Sequence, residues 1–130
     1  MAIEFIVSTL LSATADEVYA AWLSSEGHTS MTGSPASVSA EVGGEFDAWD
    51  GYIHGKNLEL VPGKRIVQSW RTSEFKADEP DSRIDINLED ADGQTRLTLH
   101  HTGLPPHGGQ YEQGWVEAYF EPMNNYFSKR

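Results

Sequence analysis

In this chain of 130 residues, one carboxylate and one histidine are brought opposite each other by the turn between them. Asp50-Gly51 is a dipeptide favoured in two-residue type I′ hairpins, because both central positions need positive φ. Counting back from it pairs Trp49 with Tyr52, Ala48 with Ile53, Asp47 with His54 and Phe46 with Gly55. A carboxylate opposite a histidine favours imidazolium. The pair therefore reads either as an acid–base dyad beside the aromatic platform of Trp49 and Tyr52, or as an exposed cross-strand pair worth ~0.2–1 kcal/mol. Phe46, Ala48 and Ile53 make the more apolar face, which favours the exposed pair. Leu58 and Leu60 share parity with His54 rather than Ile53, and a bulge at Gly55 would reconcile the two halves of that strand.

Two further polar side chains share parity with apolar neighbours. Gln68 alternates with Ile66 and Trp70, and His101 with Leu97 and Leu99, so both are expected to point inward. An inward histidine can orient a ligand, exchange a proton or bond a neighbour. The place of His101 at the end of its strand puts it at the rim. His100 and His101 face opposite sides of that strand and cannot chelate one ion together.

Other chemistry lacks its motif. The chain has no H-E-x-x-H, no G-x-S-x-G, no phosphate loop and no dinucleotide fingerprint. It has no cysteine, which removes disulfides, thiolate metal sites and thiol catalysis. No metal, cofactor or catalytic residue is therefore assigned. The net charge of −11 opposes nucleic acid and anionic membrane as partners, and with all five histidines protonated the chain stays acidic. Asp78-Glu79-Pro80-Asp81 and Glu89-Asp90-Ala91-Asp92 read as solvated turns, since neither has the ligand spacing of a calcium loop. The opening Met-Ala-Ile-Glu-Phe carries an acid where a signal peptide needs a base. No apolar run approaches the ~20 residues of a membrane span. A cytoplasmic protein is the expectation.

The elements that must position these residues are legible from periodicity. Residues 3–11 are β-branched and apolar, a first strand. Thr14-Ala15-Asp16-Glu17 matches a capping box, and Val18, Tyr19, Trp22 and Leu23 form one stripe of a short helix. A second helical turn can follow Gly27, after which the signals fade until Val38. From there the chain reads as a β-meander, with turns at Gly43-Gly44, Asp50-Gly51, Pro62-Gly63 and Asp92-Gly93. Ile84, Ile86, Leu88, Leu97 and Leu99 line one sheet face. From about Gln110 the period becomes helical, with Trp115, Tyr119, Met123 and Tyr126 on one stripe. Pro122 inside it predicts a kink or a restart, because an interior proline costs ~3 kcal/mol in an unbroken helix. Residues 1–130 read as one α+β domain: a curved antiparallel sheet around a long C-terminal helix, with two short helices after the first strand.

Several of these segments recur together in a known family. In order they are Gly43-Gly44-Glu45-Phe46, Asp50-Gly51-Tyr52-Ile53-His54-Gly55, Leu60-Val61-Pro62 and Ile66-Val67-Gln68-Ser69-Trp70-Arg71. With Thr98-Leu99-His100 and Gly114-Trp115, they resemble the activators of the heat-shock-protein-ninety ATPase, within the START-like superfamily. The resemblance spans about Ile3 to Phe127 and implies a helix-grip fold. For function it implies either a co-chaperone that stimulates a chaperone ATPase or a START-like binder of lipids, hormones or polyketides, some of which are cyclases.

The expected function is non-enzymatic binding of a small hydrophobic molecule between sheet and C-terminal helix. The alternatives are a chaperone-associated, ATPase-activator-like interaction protein and a cyclase or dehydratase acting in the same cavity. Trp22, Phe46, Ile53, Trp70, Leu88 and Leu99 are the candidate ligand contacts before the final helix. Trp115, Tyr119 and Met123 are those on it, and Gln68 and His101 are the polar members. The same residues would also serve as plain core filling. The expected partners are a small hydrophobic molecule or, in the alternative reading, a chaperone, in a monomer or homodimer.

Overall fold

A computed structural model describes residues 3–129. Seven antiparallel strands form one sheet in the order β1-β7-β6-β5-β4-β3-β2. They are β1 (Ile3–Leu11), β2 (Ser37–Val38), β3 (Glu45–Ala48), β4 (Ile53–Val61), β5 (Arg65–Thr72), β6 (Ser82–Ala91) and β7 (Gln94–Leu104). Between β1 and β2 lie α1 (Ala15–Trp22) and α2 (Ser25–Thr32). A short 3₁₀ turn (Pro106–Gly109) leads into the C-terminal helix. This is the α+β grip that the alternation and the final helical period imply.

Local chemistry explains the boundaries. Thr14 Oγ1 accepts from Glu17 N–H at 3.1 Å and Glu17 Oε1 from Thr14 N–H at 2.9 Å, so the capping box is closed. Helix α2 is longer than its periodicity implied. Ser24 caps it, accepting from Gly27 N–H at 3.1 Å, and Gly33 ends it at φ 80°. Asp92 and Gly93 both take positive φ, closing the hairpin whose first ladder pair is Ala91 with Gln94. Beyond it, Leu88 faces Leu97, Ile86 faces Leu99 and Ile84 faces His101 on the inner face.

The bulge in β4 lies elsewhere than expected. Asn57 pairs with Gln68 and Glu59 with Val67, so the extra residue is Leu58, which is left exposed. Gly55 is needed for a different reason. A Cβ there would lie 1.9 Å from the Ser69 carbonyl oxygen and 2.9 Å from the Phe46 ring, which packs opposite it. Proximity of strands β4 and β5 therefore excludes any side chain at this position.

The restart expected at Pro122 takes the form of a change of helical pitch within the C-terminal helix. The helix runs α-helical from Gln110 to Gly114, widens to a π-helical turn from Trp115 to Phe120, and resumes as α-helix from Glu121 to Ser128. Within the wide turn Glu121 N–H bonds Val116 C=O, five residues back. Pro122 falls in the first turn after it, where a missing N–H costs least. The wide turn thus takes up the mismatch that the ring would create in a regular helix.

Two histidines are sealed in the core and hydrogen-bonded at both nitrogens. Trp115 Nε1–H donates to His101 Nδ1 at 3.0 Å. Ser82 Oγ–H donates to the Trp70 carbonyl at 2.7 Å, so His101 Nε2 must carry the proton that it shares with Ser82 Oγ at 2.9 Å. His28 Nδ1 donates to the Trp22 carbonyl at 2.9 Å, leaving Nε2 to accept from the Tyr119 hydroxyl at 2.8 Å. The Trp115 donor fixes His101 as a neutral ring, and burial favours the neutral form of His28. Burial lowers the pKa of His28, and burial with neighbouring His100 lowers that of His101 to about 3.

In the unfolded chain both histidines take up a proton near ~6.5, which the folded state refuses. Their contribution is complete above that pH and shrinks as pH falls toward the folded values. Denaturant melts from pH 7.5 to 5 should show stability falling, by up to ~1.4 kcal/mol per pH unit per histidine. A flat profile over that range would overturn the neutral assignment.

Candidate ligand cleft

The hairpin between β3 and β4 sets one wall. Strand alternation would turn Trp49 to the outer face with Asp47, yet Trp49 and Asp50 both sit near φ 57°, followed by Gly51 at φ 86°. The turn closes through Tyr52 N–H to Trp49 C=O at 3.2 Å. The type I′ centre is therefore as expected, but Trp49 leaves the ladder in a left-handed conformation that bulky residues rarely adopt. That rotation carries its indole over the end of the sheet, edge-on to Tyr119 with ring centroids 6.3 Å apart.

Facing it is the wide turn of the C-terminal helix. Between them opens a cleft of about 460 Å³. Trp49, Tyr52 and Ile53 line it from the hairpin, and Trp70 from β5. The helix contributes Gln110, Tyr111, Gly114, Trp115, Ala118 and Tyr119. Gly114 and Ala118 leave the space open, and a Cβ added at Gly114 meets nothing within 4 Å. The aromatic rings brace one another rather than fill it: Trp70 lies 5.0 Å from Tyr111 and 5.6 Å from Trp115, and Trp115 4.8 Å from Tyr119.

One lip is polar. The Tyr52 hydroxyl donates to Glu74, and the Thr72 and Tyr111 hydroxyls are bonded at 2.7 Å. Burial and then the Glu74 carboxylate push the Tyr52 hydroxyl above its ordinary pKa, so it stays protonated. Burial likewise raises Tyr119. The Trp49 indole N–H is close enough to Tyr119 to favour its anion slightly, but it does not reach hydrogen-bonding geometry and is a buried donor without a partner. Below the lip, the loop after β5 is held by Arg71. Its guanidinium bonds Asp81 Oδ1 at 2.8 Å and the carbonyls of Glu79 and Lys76 at 3.0 Å, while Phe75 tucks against Trp70 and Tyr111.

Of the residues singled out in the sequence, Ile53, Trp70, Trp115 and Tyr119 line the cleft. Phe46, Leu88, Leu99 and Met123 are buried in the core away from it. Gln68 points inward as its parity implied, and Trp22 as its helical stripe implied, but they bond each other: Trp22 Nε1–H donates to Gln68 Oε1 at 3.2 Å. Gln68 in turn donates to Asn57 Oδ1 at 2.8 Å, and Asn57 to the carbonyls of Ser39 and Glu41. His101 is not at the rim. Strand β7 continues three residues past it to Leu104, and His101 is 0% exposed. Asp47 and His54 are register partners, with no ion pair between them among the described residues, and His54 is exposed.

The cleft residues missed from sequence had partial signals. Extending the Trp115 and Tyr119 stripe back by four reaches Tyr111, and the small residues Gly114 and Ala118 beside that stripe mark missing volume. Nothing local marks the turned-in Trp49. Among the described residues no group of three or more His, Asp or Glu side chains could hold a metal ion, and no helix is long and apolar enough to cross a membrane.

Comparison with known proteins places this architecture. Residues 12–128 match the family described as Activator of Hsp90 ATPase homolog 1-like protein. Over 116 residues, 86% of the chain, it is 32% identical to the Activator of 90 kDa heat shock protein ATPase homolog 1 of Homo sapiens, of which it covers 33%. An uncharacterized protein of Schizosaccharomyces pombe is 28% identical over 116 residues, 88% of the chain and 34% of that protein. The chain thus spans about a third of the length of these relatives. Among solved structures, an Hsp90 activator from Plasmodium falciparum superposes with a TM-score of 0.82 at 22% identity, covering 92% of this chain and 91% of that one. CalU16 from Micromonospora echinospora does so at 0.80 and 23% identity, over 98% of this chain and 77% of its own. The Aha1 dimer from Colwellia psychrerythraea gives 0.80 at 15% identity, over 96% of both chains. These neighbours establish the helix-grip fold, and the sequence match goes further: the chain belongs to the family of activator of Hsp90 ATPase homolog 1-like proteins.

Proposed function

We propose that this domain acts with an Hsp90-type chaperone as a modulator of its ATPase. The observation that carries the reading is the 32% identity to the human activator homologue, sustained over 86% of the chain. The acidic surface, at net charge −11, suits a protein partner better than a nucleic acid or an anionic membrane. Titrating the purified domain into an Hsp90-type chaperone should raise its ATP turnover saturably. Unchanged turnover at high excess, with no binding by calorimetry, would overturn this reading.

A second reading, compatible with the first, rests on the cleft. Its volume of about 460 Å³ falls in the range of small-molecule sites, and its walls are mainly aromatic with a hydroxyl-bearing lip. We propose that it holds a small, largely apolar molecule, without chemistry on that molecule. An environment-sensitive apolar dye should bind the folded domain saturably. Gly114→Leu should abolish that binding while leaving thermal stability equal or higher, since the new side chain enters open space and leaves a helical glycine behind. Unaltered dye affinity in this variant would remove the cleft as the binding site.

A further inference from the structure

We propose that the cleft selects an organic cation, a substituted ammonium group carried on a small apolar body. This rests on the ligand-binding reading of the cleft and adds the charge of the ligand. Six lining residues are aromatic: Trp49, Tyr52, Trp70, Tyr111, Trp115 and Tyr119. They meet at steep angles, 78° between Trp70 and Tyr111 and 71° between Trp49 and Tyr119, so the rings bound the site in several orientations rather than as one parallel stack. Aromatic walls offer buried area to any apolar ligand, but ring faces also carry negative potential that draws cations.

The charges around the cleft decide between these uses. No lining residue is Lys, Arg or His. Glu74, exposed at the lip, accepts from the Tyr52 hydroxyl and is fixed there without a cation as counter-charge in that bond. Two basic groups beneath the lip are committed elsewhere. Arg71 is spent on Asp81 and the two loop carbonyls, and His107 is bonded to Glu79 at 3.0 Å. The net charge of −11 adds a long-range attraction of the same sign. A neutral ligand gains the burial alone, and an anion meets an opposing field.

The test uses a matched pair of probes, meta-hydroxyphenyltrimethylammonium and its neutral isostere meta-tert-butylphenol. Binding is followed by the indole N–H resonances of Trp70 and Trp115 in the intact domain. The cation should bind at least about tenfold more tightly than the isostere, and Glu74→Gln should reduce that ratio severalfold without changing affinity for the neutral probe. Equal affinities, or tighter binding of the neutral probe, would overturn cation selection and leave the apolar-ligand reading standing. Binding of neither probe at millimolar concentration would remove both. Cation binding that leaves the two indole resonances unmoved and is indifferent to Glu74→Gln would mean diffuse attraction to an acidic surface, and would overturn the proposal.

Discussion

A buried imidazole must satisfy two nitrogens, and in this domain the partners of His101 come from different layers. Trp115 donates to it from the C-terminal helix, and Ser82 accepts from it on the neighbouring strand while donating its own O–H to the Trp70 carbonyl. The chain of bonds fixes the tautomer, the rotation of the Trp115 indole and the height of the helix above the sheet together. No member can be moved alone without stranding a buried polar atom, which costs ~1–3 kcal/mol. His28 repeats the device one helical turn along, tying Tyr119 to the carbonyl of Trp22. The grip is therefore a directed attachment as well as an apolar one.

That attachment explains why the cleft stays open. The rings of Trp115 and Tyr119 are held from behind by the histidines, and Trp70 is braced by Tyr111 and Phe75. Held rings cannot collapse into the space left by Gly114 and Ala118. The wide helical turn contributes too, since it presents Trp115, Ala118 and Tyr119 on one side while absorbing the proline that follows. A π-turn at a candidate binding wall fits the general association of such turns with functional sites.

The parts readable in the sequence were those decided by neighbours in the chain. The capping box at Thr14, the alternation from Ile84 to Leu99 and the turns at Asp50-Gly51 and Asp92-Gly93 each carry their cause within a few residues. Parity alone turned Gln68 and His101 inward, but it could not show that Trp22 and Trp115 meet them, because those bonds cross 46 and 14 positions of sequence. The unread features were tertiary in origin. Helix α2 has weak amphipathicity and is held by the buried side chains of His28 and Met31. The bulge at Leu58 follows from the register of β5, and the wide turn before Pro122 from packing of a helix that is pinned on both sides. In the cleft, Ile53, Trp70, Trp115 and Tyr119 were legible as inward residues, whereas Trp49 was hidden by a backbone conformation that no local pattern announces.

The placing of β1 at the edge of the sheet, beside β7, has a consequence for how the domain is made. Ile3 pairs with Leu104, and Thr9 with Leu97, so the first strand of this sheet in chain order waits for the last one. Until β7 emerges, an apolar nine-residue strand has no ladder partner, and closing so long a loop must precede the reward of pairing. The hairpins from β3 to β6 and the capped helix α1 can form early from local contacts. The sheet is complete only once β7 is available, in a step that also completes the seat for Trp115. A domain built this way spends its nascent life with its core exposed, and its own assembly is the stage at which it is most exposed to aggregation.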